Sequence, residues 1–123
     1  MKIDHVQLAC APGGEAKARK FFGELLGMEE EEKPESLRDR GGCWFRAGSA
    51  IVHVGVDRVF QPQKKAHPAF LVEDLVALAE RLERAGYTVE WDHALKDRER
   101  FYTSDPFGNR IEFMAAGAGF SER

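Results

Sequence analysis

The chain has little cysteine, no excess of positive charge and no long apolar run. Cys10 and Cys43 are its two cysteines, and they form no CxxC pair. That leaves no disulfide framework, and two well-separated cysteines read as free thiols of a reducing compartment. Lys and Arg number 18 against 21 Asp and Glu, for a net charge of −3. Scattered basic residues do not attract nucleic acid, so no nucleic-acid partner is expected. No apolar stretch reaches membrane length, and no basic segment followed by an apolar one opens the sequence. The expectation is a cytoplasmic protein without a membrane partner. The acidic run Glu29–Glu32 does not read as a metal site, because four successive side chains point in different directions. It reads as a solvated strand edge or turn.

What is there is an ordinary globular balance, 43% hydrophobic and 32% charged over 123 residues. That suffices for one compact domain with its own core. A first strand is expected over residues 2–9, ended by Pro12, Gly13 and Gly14. Residues 14–26 carry Ala18, Phe21, Phe22, Leu25 and Leu26 at helical spacing, with Gly27 as the stop. A short strand follows over 28–33 and a loop over 34–40. The segments 41–48 and 50–56 read as a strand pair joined at Gly48-Ser49. The second half repeats this order. Residues 67–72 are an apolar strand. Asp74 caps a helix whose stripe is Leu75, Leu78, Ala79, Leu82 and Ala85. Residues 87–91 form a strand. Residues 99–104 and 110–115 flank the turn "DPFGN", where Pro106 fixes φ and Gly108 accepts a positive one. Module one is about 1–57, the linker about 58–65 and module two about 66–116.

The repeat pairs particular polar residues. His5 lies in the first strand of one half, and His67 in that of the other, 62 residues later. His53 lies in the last strand of the first half, and Glu112 in that of the second, 59 residues later. Strand alternation sets His53 opposite Val52 and Val54, and Glu112 opposite Ile111 and Phe113. Pro68 holds His67 extended. Imidazole and carboxylate together suit borderline divalent ions such as Zn, Ni, Fe(II) or Mn. Each histidine taken alone reads as a singly hydrogen-bonded or surface residue. Four groups at repeat-equivalent positions read as a metal site.

The segments "IDHVQLA", "FFGELLGM", "AHPAFLVEDL" and "FYTSDPFGNRIEF" together resemble the vicinal oxygen chelate superfamily over almost the whole chain. That superfamily includes glyoxalases, extradiol dioxygenases, fosfomycin-resistance proteins and bleomycin-resistance binding proteins. The resemblance implies an α+β fold, with two βαβββ modules forming a curved mixed sheet around a cavity. It implies a divalent metal ion held by His5, His67 and Glu112, with His53 at the fourth place. It implies a small-molecule substrate with adjacent oxygens, turned over by an isomerase, lyase or dioxygenase reaction, and a homodimer. Glu112 is the residue implied to move a proton, and Tyr102 to stand near the substrate. Gln7 and Arg110 share faces with the implied ligands and are candidates for substrate contact, a rim salt bridge being the plainer reading of Arg110. The tail after Glu112 offers only Arg123 as a basic group. The alternative is a metal-free binding protein of the bleomycin-resistance type. Trp44, Phe45, Trp91 and Phe101 are then candidates to stack on a flat ligand, although strand aromatics more often fill a core.

Overall fold

A computed structural model of the chain describes residues 1–117, so Arg123 lies outside the described residues. The chain divides into two compact units, Met1–Pro62 and a second that begins at Gln63. In the first, strand β1 (Val6–Cys10) leads into helix α1 (Glu15–Ala18). The helix continues as a π-helical segment, Arg19–Leu25. Strands β2 (Glu29–Glu31), β3 (Cys43–Ala47) and β4 (Ala50–Val56) complete the unit. The sheet order is β1-β4-β3-β2, with β1 parallel to β4 and the other pairs antiparallel. In the second unit, β5 (Ala69–Val72) leads into helix α2 (Leu75–Arg84), followed by β6 (Glu90–Asp92), β7 (Arg100–Ser104) and β8 (Arg110–Ala115). Its order is β5-β8-β7-β6, again with the first strand parallel to the last.

Helix and sheet meet through apolar side chains. In the first unit Phe21, Phe22, Phe45 and Val52 are fully buried. The i to i−5 bond from the Leu26 amide to the Phe21 carbonyl marks the wide turn. A wider turn brings consecutive side chains nearer to one face, which lets both Phe21 and Phe22 reach the core. In the second unit Leu75, Leu78, Ala79 and Leu82 face inward, and Phe101, Ile111 and Phe113 meet them from the sheet side. Asp74 accepts the Ala77 amide at 3.0 Å as the helix cap.

Several boundaries differ from the sequence reading. The first strand starts at Val6 and the fifth at Ala69, so His5 and His67 stand just ahead of their strands. The first helix is α only to Ala18, the loop over 34–40 contains a 3-10 turn at Glu35–Arg40, and the strand expected over 87–91 is Glu90–Asp92. Ala85 is an exposed cap residue outside the apolar stripe. The acidic run is an edge strand and its exit, with Glu30 on Arg19, Glu31 on Arg46 and Glu32 on Arg38. Cys10 and Cys43 are buried free thiols.

Glu15 ties the helix to the entry of β3 by accepting the Gly42 amide at 3.0 Å. That bond is the main reason its carboxyl lies below the ordinary value. Gly42 holds φ at 86°, and a Cβ there would overlap the Val54 carbonyl oxygen. Gly42→Ala is expected to destabilise the protein by more than about 1 kcal/mol, read as a lowered denaturant midpoint with an unchanged slope.

Candidate functional site

In the second unit the polar face of the sheet gathers around Glu112. Register pairs Glu112 with Tyr102 on one side and Ala69 on the other. Two residues before Ala69, His67 reaches back to the same carboxylate. Its Nε2 lies 2.9 Å from Glu112 Oε1, and Arg100 Nη1 donates to Oε2 at 3.1 Å. Glu112 is only 5% exposed. Burial pushes its carboxyl up, but the hydrogen bonds from His67 and Arg100, and their charge, outweigh that, so the group lies below the ordinary carboxylate range. Asp92 backs Arg100 at 3.4 Å. Tyr102 stands edge-on to the His67 ring at 5.3 Å, and the Arg110 guanidinium lies 3.9 Å above the Tyr102 ring centre.

The His67 ring is committed at both nitrogens. Nδ1 lies 2.8 Å from the Lys65 carbonyl oxygen, which can only accept, so Nδ1 carries a proton. Nε2 then faces an ionised carboxylate oxygen. Two acceptors at 2.9 Å need a positive particle between them, either the second ring proton or a cation.

In the first unit the equivalent place is a stack of rings. Register sets Gln7, His53 and Trp44 side by side across β1, β4 and β3. The His53 ring lies between two others. His5 is 4.1 Å away at 21°, and Trp44 is 3.9 Å away at 2°. Burial, helped by the neighbouring His5, pushes the His53 imidazole below its usual value. His5 Nδ1 is 2.8 Å from Asp4 Oδ2, and that bond is the main reason the Asp4 carboxyl is lowered. With Nδ1 tied to Asp4, the lone pair of His5 is left on Nε2. The Gln7 amide lies against Gly55, where any Cβ would strike it.

The structure thus joins His67, Glu112 and Tyr102 in one unit, and His5 and His53 in the other. Among the described residues no group of three His, Cys, Asp or Glu side chains forms a metal-holding cluster. Arg110 is not in the expected rim salt bridge. Among the described residues its guanidinium has the Tyr102 ring as its partner and no carboxylate. Of the four aromatic candidates, Phe45 and Phe101 are core, Trp91 is 40% exposed, and Trp44 stacks on His53. Sequence reasoning missed Arg100, the second partner of Glu112. Strand alternation held the signal, because Arg100 shares a face with Tyr102, which pairs with Glu112.

These arrangements define a class. The glyoxalase-like domain family matches residues 7–114. A candidate glyoxalase-family protein from Bacillus anthracis is 52% identical in sequence, with a TM-score of 0.91 over 95% of this chain and 96% of that one. A variant of the fosfomycin resistance protein FosX from Listeria monocytogenes, crystallised with Mn(II) and a dihydroxypropylphosphonic acid, is 17% identical, with a TM-score of 0.77 over 95% and 93%. Lactoylglutathione lyase from Agrobacterium tumefaciens is 18% identical, with a TM-score of 0.72 over 97% of each chain. No curated protein matches the chain in sequence. The chain belongs to the glyoxalase-like family of the vicinal oxygen chelate superfamily.

The lowered Glu112 carboxyl gives a stability term with a defined sign. It is present above the ordinary Glu value of 4.5 and is lost as pH falls through the lower folded value. Glu112→Gln is expected to cost about 1–3 kcal/mol at neutral pH. The gap from the parent should narrow on acidification below that ordinary value, measured by denaturant melts at pH 7 and pH 3.

Proposed function

We propose that the protein is a divalent-metal-dependent enzyme acting on a small substrate with two adjacent oxygens, by isomerase, lyase or oxygenase chemistry. The observation that carries this reading is the pairing of His67 Nε2 with Glu112 Oε1 while Nδ1 is bound to a backbone carbonyl. A carbonyl or carboxylate on the far ring nitrogen is the usual support of a metal-ligating histidine. His5, held by Asp4, has the same form. His67, Glu112 and His5 are the residues that would hold Zn, Ni, Fe(II) or Mn. His53 is left out of this set. Its ring is stacked 4.1 Å from that of His5 at 21°, so the two rings do not aim lone pairs at one point. Instead His53 and Trp44 fix the plane of His5. When bound, the ion polarises the two substrate oxygens.

The protein's own groups divide the remaining work. Arg100 holds Oε2 of Glu112, which leaves Oε1, the oxygen facing His67, as the one that would hold the ion and, once released from it, exchange a proton with the substrate. The Tyr102 hydroxyl donates to a substrate oxygen, and Gln7 and Arg110 make further substrate contacts. A relative of the same fold holding Mn(II) and a phosphonate with adjacent hydroxyls supports the substrate class. A cytoplasmic homodimer completes the reading. Each sheet ends in a three-residue strand, β2 or β6, with an open edge for a partner to cover.

Elemental analysis tests this. The untagged protein, as purified and after dialysis against Fe(II), Ni(II), Mn(II) or Zn(II), is expected to hold about one ion per chain, as a mononuclear site does. His5→Ala and Glu112→Ala should each lose it. Absence of stoichiometric metal under every condition would turn the reading to a metal-free binding protein of the bleomycin-resistance type.

A further inference from the structure

A cavity of about 350 Å³ opens in the second unit beside the Glu112 cluster, and the metal reading names no substrate group for it. Its walls carry Lys64, Thr88, Glu90, Tyr102, Ser104 and Arg110. The register places it. Ser104 pairs with Arg110, and the next pair on the same face is Tyr102 with Glu112. At about 3.3 Å per residue, the Ser104–Arg110 row of the cavity lies roughly 7 Å along the strand from the Tyr102–Glu112 row.

The cavity holds two cations without carboxylate partners. Among the described residues, neither Lys64 nor Arg110 has a hydrogen bond or ion pair from its side chain. Arg110 is nonetheless held in place. Its guanidinium carbon lies over the Tyr102 ring, 3.9 Å from the centroid, and its backbone amide donates to the Gln63 carbonyl at 2.8 Å. A guanidinium held over an aromatic ring, with no hydrogen-bond partner of its own, has N–H donors to offer a planar oxyanion. Ser104 and Thr88 add hydroxyl donors. The single carboxylate of the lining, Glu90, is exposed and pairs in register with Tyr102. Two cations against one anion leave one positive charge, which matches a monoanion better than a dianion.

We propose that this cavity binds the carboxylate of the substrate, with Arg110 as the principal contact and Lys64 as a rim charge. Its place one row from Glu112 makes the substrate a short hydroxy or oxo acid, with its carboxylate a few bonds from the adjacent oxygens. That substrate class rests on the metal-enzyme reading, whereas the anion contact is testable without a metal.

The test uses the full chain, stripped of metal with EDTA and followed by two-dimensional amide NMR. L-lactate is the probe, with lactamide as its neutral analogue and inorganic phosphate as the dianionic competitor. Lactate should give saturable shifts at the Ser104, Gly108 and Arg110 amides, and lactamide none. Arg110→Gln should raise the lactate dissociation constant about tenfold or more, the size of a lost charge-assisted hydrogen bond. Lys64→Gln should raise it by no more than about threefold, as suits an exposed charge. Unshifted amides elsewhere in each variant show that the fold is kept. An equal response to lactamide, a response that survives Arg110→Gln, or tighter binding of phosphate than of lactate would overturn the proposal. Metal-free protein that binds lactate but never takes up an ion would retain the carboxylate site and defeat the metal reading. Protein that takes up one ion but shows no lactate response would do the reverse.

Discussion

Each unit depends on a parallel ladder between its first and last strands. In one it pairs Gln7 with His53, and in the other Ala69 with Glu112. A slip of one residue in either ladder would turn every side chain of a strand to the opposite face. His53 and Glu112 would then face the core, and valine or phenylalanine would replace them on the polar face. The buried cluster of Phe21, Phe22 and Phe45 in one unit, and of Leu82, Phe101 and Ile111 in the other, makes that slip costly. His5 and His67 each precede the paired residue by two positions, so the same register sets them on the polar face. In the second unit the chain entering the ladder is anchored by the Glu112 amide donating to the Pro68 carbonyl at 3.0 Å.

Charge is handled differently on the two kinds of surface. The run Glu29–Glu32 lies on an exposed edge, where arginines pair with it at little net gain. Glu112 is almost wholly buried, and a buried carboxylate without partners would carry a large desolvation cost. His67 takes one of its oxygens and Arg100 the other. This division leaves the carboxylate charged, fixed and asymmetric, with one oxygen on a permanent cation and one on an imidazole. The asymmetry suits a group that must hold a cation or exchange a proton at a single oxygen.

The turn between β7 and β8 sets the neighbouring row. Asp105 is buried, and its carboxylate accepts the Phe107 and Asn109 amides and the Asn109 side chain, each at 2.9 Å. Burial raises the Asp105 carboxyl, and these bonds pull against that rise. Asn109 in turn accepts the Gln63 amide at 3.1 Å, and Gly108 turns the chain at φ 90°. Arg110 follows at once, so the turn network delivers its guanidinium onto Tyr102. The motif "DPFGN" therefore acts as a positioning device for the first residue of β8.

The sequence alone determined the element order, the repeat and the inward faces. Those follow from local periodicity, from glycine and proline at turns, and from the membership that the motifs imply. It also marked His67 and Glu112 as polar residues at repeat-equivalent strand positions, and Tyr102 through the resemblance alone. Tertiary structure decided which of them touch. That His67 reaches Glu112 across β5 and β8, that Arg100 takes the second oxygen, and that His5 and His53 stack rather than diverge all depend on strand register and ring orientation. Alternation can assign a side chain to a face. It cannot say how far along the neighbouring strand its partner lies, because register is a long-range choice made by the packing of the whole sheet on its helix.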